Sequence, residues 1–296
     1  MNKELLNKLN IKIDKIGKKG KAIILGTNYD KYVLKQCFND KYYEYLKVRD
    51  FNYFPDVLDN SSNYLLTRYI NDNDVPLNQR LEDMIAIISI LHANTSYYKK
   101  LDLDTIKGIY EGLINRQDEL LKYYLNIQTL IEEEEYMSPA DYLLIRNISL
   151  IYMSLKKSRE YLDKWYQSIK DTKIIRHVYN HGNLDISHFI EGDKPYLISW
   201  DNSKLDIPIY DLDDFYRKNF NLIKLDTIFN IYFDKYSLTN EEINLLFTYI
   251  LIPDKIDIHL KEYDKVIAIT NMILYLEDTL MFLKSYSINH NKPINK

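Results

Sequence analysis

Near Pro76 the sequence changes its period. Before that point, short β-branched and apolar runs at residues 11–16, 21–25, 31–37, 54–59 and 64–69 alternate with Gly- and Asn-rich turns, the pattern of a small antiparallel sheet. One helix is expected over 40–50, and 70–76 is a polar link. Beyond it, Leu81, Met84, Ile85, Ile88 and Leu91 mark one helical face over 78–94. Further helices are expected over 105–135, from Ser138-Pro139 to about Ser168, after the capping pair Thr239 and Glu242, and over 255–286. A single stretch breaks the helical period, where the strand-like run 173–179 leads into a loop and a hairpin. The expected fold class is therefore α+β, with an antiparallel-sheet part at 1–70 and a mostly helical part at 71–296.

The charge balance narrows the function classes. At 296 residues the chain is long enough for a substantial core, and its formal net charge of −4 with no basic stripe argues against nucleic-acid binding. Cys37 is the only cysteine, which excludes an internal disulfide and fits a reducing compartment. The six histidines have no zinc-ligand spacing. Residues 1–8 carry charges where a signal peptide needs an apolar core, and no run reads as the ~20 apolar residues of a membrane span. A soluble, cytoplasmic protein with neither nucleic-acid nor membrane partner is expected.

The segment 180–212 carries the chemistry. Asn180-His181-Gly182-Asn183-Leu184-Asp185-Ile186-Ser187-His188 is followed by a hairpin around Glu191-Gly192-Asp193-Lys194-Pro195. Then come Ile198-Ser199-Trp200-Asp201-Asn202 and a helix opening near Asp211. This order resembles the aminoglycoside phosphotransferase and choline kinase branch of the protein-kinase-like superfamily, including the kinase-like proteins of the spore coat. That branch has a His-Gly-Asp loop, an Asn five residues after the Asp, a strand-end Asp, and a helix-opening Asp twelve residues on. His181, Gly182 and Asp211 match. The resemblance places the general base on Asn183, one metal ligand on His188 and the other on Ser199, twelve residues before Asp211.

Each of those residues removes a group the reaction needs. A neutral amide has no useful basicity, and loss of a positioned base costs about 10²–10⁴ in rate. Mg²⁺ wants anionic oxygen, for which a serine hydroxyl is poor and an imidazole worse. Asp185 is a candidate substitute base and Asp201 a candidate metal ligand, since in extended backbone residues 199 and 201 share a face. Equally, Asp201 and Asn202 read as ordinary turn residues. His181 and Asp211 are implied to be structural.

On the nucleotide side, the resemblance implies a two-lobed frame with Gly17 and Gly20 in the phosphate-covering turn. It also implies Lys35 as the phosphate-neutralising lysine and Glu44 as its ion-pair partner. The competing readings are a plain hairpin turn, a solvated strand lysine and an exposed helix charge. The implied cofactors are ATP and Mg²⁺, with a nucleotide or small molecule, or a protein, as partner. Taken together, the substitutions point to a catalytically impaired pseudokinase with a binding or scaffold role. The alternatives are an active phosphotransferase using Asp185 and Asp201 on a small hydroxyl-bearing substrate, and a structural coat protein with an empty cleft.

Overall fold

Residues 13–36, 41–59 and 64–290 are described by the structure, a computed structural model. Cys37, Asp40 and residues 11–12 of the first expected strand lie outside them. In chain order come β1 (Lys15–Lys19), β2 (Ala22–Gly26), β3 (Lys31–Gln36), α1 (Lys41–Val48), β4 (Val57–Asp59), β5 (Tyr64–Arg68) and α2 (Leu77–Thr95). Next are β6 (Tyr97–Lys100), α3 (Leu103–Glu132), α4 (Pro139–Thr172), β7 (Ile174–Asn180), β8 (Phe189–Glu191), β9 (Pro195–Leu197) and β10 (Lys204–Asp206). The last four helices are α5 (Ile209–Asn219), α6 (Leu225–Lys235), α7 (Asn240–Ile250) and α8 (Glu262–His290). Two compact units divide the chain: Met1–Ser96 with Val178–Asp206 and Asp234–Tyr236, and the remaining residues.

The first unit is built on a five-stranded sheet of order β1-β2-β3-β5-β4, every neighbour antiparallel. The stretch Gly17-Lys18-Lys19-Gly20, read from sequence as a turn, is mostly strand. Gly17, Lys18 and Lys19 pair with Ile24, Ile23 and Ala22, leaving only Gly20-Lys21 to reverse the chain. Gly20 has φ 57°, a left-handed conformation that glycine adopts without a Cβ penalty, so the reversal sits where the permissive residue is. Leu25, Leu34 and Leu66, at most 1% exposed, form the core on one sheet face. The face of α2 expected to be apolar is buried as a whole, and this helix packs on β8 and β9. The link at 70–76, where sequence places the domain boundary, lies within this unit.

The second unit is helical, with α4 packed on α3, α7 and α8. Ser138 caps α4 by accepting from the Asp141 amide, Pro139 takes the first turn, and Lys173 ends the helix in a left-handed conformation at φ 53°. Polar groups in this core are paired: Ser154 Oγ donates to Leu251 O at 2.6 Å, Ser158 Oγ to Thr248 O at 2.7 Å, and Gln117 Nε2 to Ser158 Oγ at 2.8 Å. Thr239 and Glu242 form the expected capping box on α7.

One expectation is corrected. The stretch Glu262–Ser287 of α8, whose most apolar 18-residue window has a mean hydropathy of 1.6, is long and apolar enough by length and composition to cross a membrane. Thr270-Asn271 and Glu277-Asp278-Thr279 interrupt its apolar residues, so the sequence shows no continuous apolar run. Ile269, Leu276 and Leu283 on this helix are buried in the unit's core. Elements that sequence reading did not anticipate are β6, β10 and α6, of which the two strands are too short to show a period.

Candidate functional site

Strand alternation sends Leu34 into the core and leaves Val33 and Lys35 on the opposite face, where a cavity of about 610 Å³ opens. All its lining residues belong to the first unit. Ile24, Val33, Leu65, Ile190 and Ile198 give it apolar walls. Lys35 and Asp201 contribute charge at one side.

The loop after β7 sets the polar side. His181 is fully buried, its Nε2 is 2.9 Å from Ile198 O, and its ring meets Trp200 edge to face at 4.7 Å. Gly182 sits at φ 73°, and a Cβ there would lie 2.4 Å from Asn202 O, so only glycine fits. Asn183 turns the chain and its carbonyl lies 3.1 Å from His188 Nδ1. The Asp185 carboxylate caps the 3₁₀ turn Ile186–His188, accepting from Ser187 N at 2.9 Å and Ser187 Oγ at 2.6 Å.

After β9 the backbone is not extended, as the shared-face argument for Ser199 and Asp201 assumed. Ser199 is left-handed at φ 68°, and Trp200–Asn202 form a 3₁₀ turn. Trp200 is buried, stacked on Tyr42 at 5.7 Å, with its Nε1 donating to Leu197 O at 3.0 Å. That anchored ring directs the Asp201 carboxylate to Lys35. Lys35 Nζ donates to Asp201 Oδ2 at 2.6 Å and to Ser199 Oγ at 3.4 Å.

A second polar cluster, not anticipated from sequence, borders the same cavity. Arg80 on α2 grips Asp72 through both terminal nitrogens at 2.9 and 3.0 Å and donates to Asn73 O at 2.9 Å and Phe189 O at 3.3 Å. Asp72 in turn accepts from the Glu191 amide at 3.0 Å. The Arg80 hydrogen bond holds the Asp72 carboxyl below its ordinary range. Glu191 moves the other way, because burial and then the neighbouring Asp83 charge disfavour its ionised form. Arg80 stands on a helix face that reads from sequence as an ordinary exposed charge, so only the packing of α2 against the hairpin could reveal it.

Of the residues singled out from sequence, Gly20, Lys35, Asn183, His188, Ser199 and Asp201 line the cavity. Gly17, Glu44, His181 and Asp185 are not among its lining residues, and Asp211 belongs to the second unit. Glu44 is exposed on α1, and the Lys35 ammonium pairs with Asp201 instead. The donors do not suit Mg²⁺. Asp201 Oδ2 is already held by an ammonium, Ser199 Oγ accepts from the same ammonium, and among the described residues no three His, Cys, Asp or Glu converge as a metal site.

No protein-family model and no curated protein sequence matches this chain. Solved structures do. An aminoglycoside phosphotransferase from Alicyclobacillus acidocaldarius superposes with a TM-score of 0.72 at 12% identity, over 94% of this chain and 93% of that one. An AMP-bound spectinomycin phosphotransferase gives 0.54 at 12% identity over 94% and 98%. The complex of spectinomycin phosphotransferase with ADP and spectinomycin gives 0.51 at 12% identity over 94% and 97%. The chain thus has the kinase-like α+β fold of the aminoglycoside phosphotransferases.

Proposed function

We propose that this protein is a catalytically impaired kinase-like protein of the cytoplasm, which binds a nucleotide in the cavity of its first unit and serves a binding or scaffolding role. One observation carries the reading. The ammonium of Lys35 closes on Asp201 at 2.6 Å, and the residues at the base and metal positions, Asn183, His188 and Ser199, carry no anionic oxygen. Phosphoryl transfer depends on positioning and on neutralising charge with a metal, so loss of base and metal ligands together removes the reaction while the cavity persists. The nucleotide in the proposal draws on the AMP and ADP carried by two structures of similar fold. An active phosphotransferase built on Asp185 and Asp201 has less support, because the Asp185 carboxylate is engaged by Ser187 and does not line the cavity.

The test is ATP turnover across a panel of small alcohols and amines, with Mg²⁺ and with Mn²⁺. No turnover above the protein-free rate is expected. Turnover that disappears in Asp201→Ala would overturn the proposal. Melting-temperature titration with ATP tests the binding half, since a ligand that binds only the native state must raise the transition; an unmoved transition at saturating nucleotide would point to a structural role with an empty cavity.

A further inference from the structure

The cavity has an excess of positive charge in a protein whose formal net charge is −4. Lys19, Lys21, Lys35, Arg68 and Arg80 line it against two carboxylates, Asp72 and Asp201. Both carboxylates are engaged, Asp72 by Arg80 and Asp201 by Lys35. Lys19, Lys21 and Arg68 therefore face the cavity with no ion pair among the described residues; Lys19 exerts only a longer-range pull on Asp72. Two of these cations are fixed by the sheet. Lys19 ends β1 opposite Ala22, and Lys21 follows the left-handed Gly20, so the tight turn holds both at the rim. The apolar walls Ile24, Val33 and Ile198 suit a flat ring, and the cationic rim suits a chain of phosphates.

Resting on the nucleotide-binding reading above, we propose that the cavity recognises a free nucleoside polyphosphate without a divalent cation. Lys19, Lys21 and Lys35 supply the positive charge that magnesium supplies in a working phosphotransferase. The Lys35–Asp201 pair is the resting partner that the phosphates displace. Asp201 is 45% exposed in this pair, so the carboxylate can turn to water when Lys35 is taken over by a phosphate oxygen. A lysine ammonium is a compact point charge that binds phosphate well. Magnesium neutralises part of the triphosphate's charge before binding, so the metal complex is the poorer ligand.

Calorimetric titration of the full chain with ATP, ADP and AMP, in EDTA and in excess Mg²⁺, tests this. In EDTA, affinity should rise from AMP to ADP to ATP, and ATP should bind about tenfold tighter than in Mg²⁺. Lys19→Ala with Lys21→Ala should weaken ATP about tenfold while leaving AMP within about twofold, because the pair acts on the outer phosphates. Asp201→Asn should tighten ATP in EDTA, since Lys35 loses its resting partner. All three substituted side chains lie on exposed positions, and melting temperatures without ligand verify that the variants fold. ATP binding that appears only with Mg²⁺ would overturn this inference while leaving the nucleotide reading intact. Absence of binding by all three nucleotides under both conditions would overturn both.

Discussion

Replacing Arg80 by methionine separates the packing of this side chain from its charge. The guanidinium makes four hydrogen bonds: two to Asp72, one to Asn73 O and one to Phe189 O. Asp72 is 48% exposed in the pair, so water recovers much of what the carboxylate loses and that component is about 1 kcal/mol. The carbonyl contacts of a charged donor add roughly 1 kcal/mol each, and the methionine chain returns a fraction through apolar packing. A net loss of about 2 kcal/mol follows for the first unit. The two tryptophans report separately, Trp200 from the first unit and Trp165 from the second. A urea titration in a Trp165→Phe background, followed by Trp200 fluorescence, therefore isolates the unit of interest.

The sign of the pH dependence is also set. The Asp72 pKa is lowered from 3.8, so its pair contributes stability above that ordinary value, lost as pH falls through the folded value. The Glu191 pKa is raised from 4.5, so its burial contributes most below that value and its contribution is lost as pH rises through the folded one. Arg80 opposes the Glu191 shift, and Arg80→Met therefore does most harm above the folded value of Glu191, where both carboxylates are ionised, and least below the folded value of Asp72. In a double-mutant cycle with Asp72→Asn the coupling should be about 1 kcal/mol. A loss under 0.5 kcal/mol, strict additivity with Asp72→Asn, or a deficit that grows on acidification would refute the reasoning.

Two further changes test the loop and the second unit. Gly182→Ala must hold an alanine at φ 73° and move Asn202 O away from a contact of 2.4 Å, so a loss of roughly 3 kcal/mol is expected in the same titration. In the second unit, Arg217 bonds Asp213 Oδ1 at 2.9 Å, Tyr249 O at 2.6 Å and Ile252 O at 3.0 Å, and burial already raises the Asp213 pKa. Arg217→Met should lose about 3–5 kcal/mol by Trp165 fluorescence, and adding Asp213→Asn should restore at least about 1 kcal/mol by removing the stranded charge.

The order of elements was legible in the sequence because most of it rests on local rules. The buried face of α2 follows from the spacing of Leu81, Met84, Ile85, Ile88 and Leu91, and the start of α4 from Ser138-Pro139. The loop anchors His181 and Gly182 were legible only through the family resemblance, and the structure supplies the reason for the glycine, a left-handed turn pressed against Asn202. The partner of Lys35 was not legible. The sequence offered Glu44 as that partner and Asp201 only as a metal ligand or turn residue, and bringing Asp201 to Lys35 needed the left-handed turn at Ser199 and the packing of Trp200 on Tyr42. Contacts between residues 166 positions apart leave no periodic trace. For the same reason the Arg80 cluster and the cationic rim emerged only when the sheet, α2 and the hairpin were seen around one cavity. Local spacing determined which helices and strands form, whereas the long-range arrangement of charges decided which lysines and carboxylates meet and which remain open to a ligand.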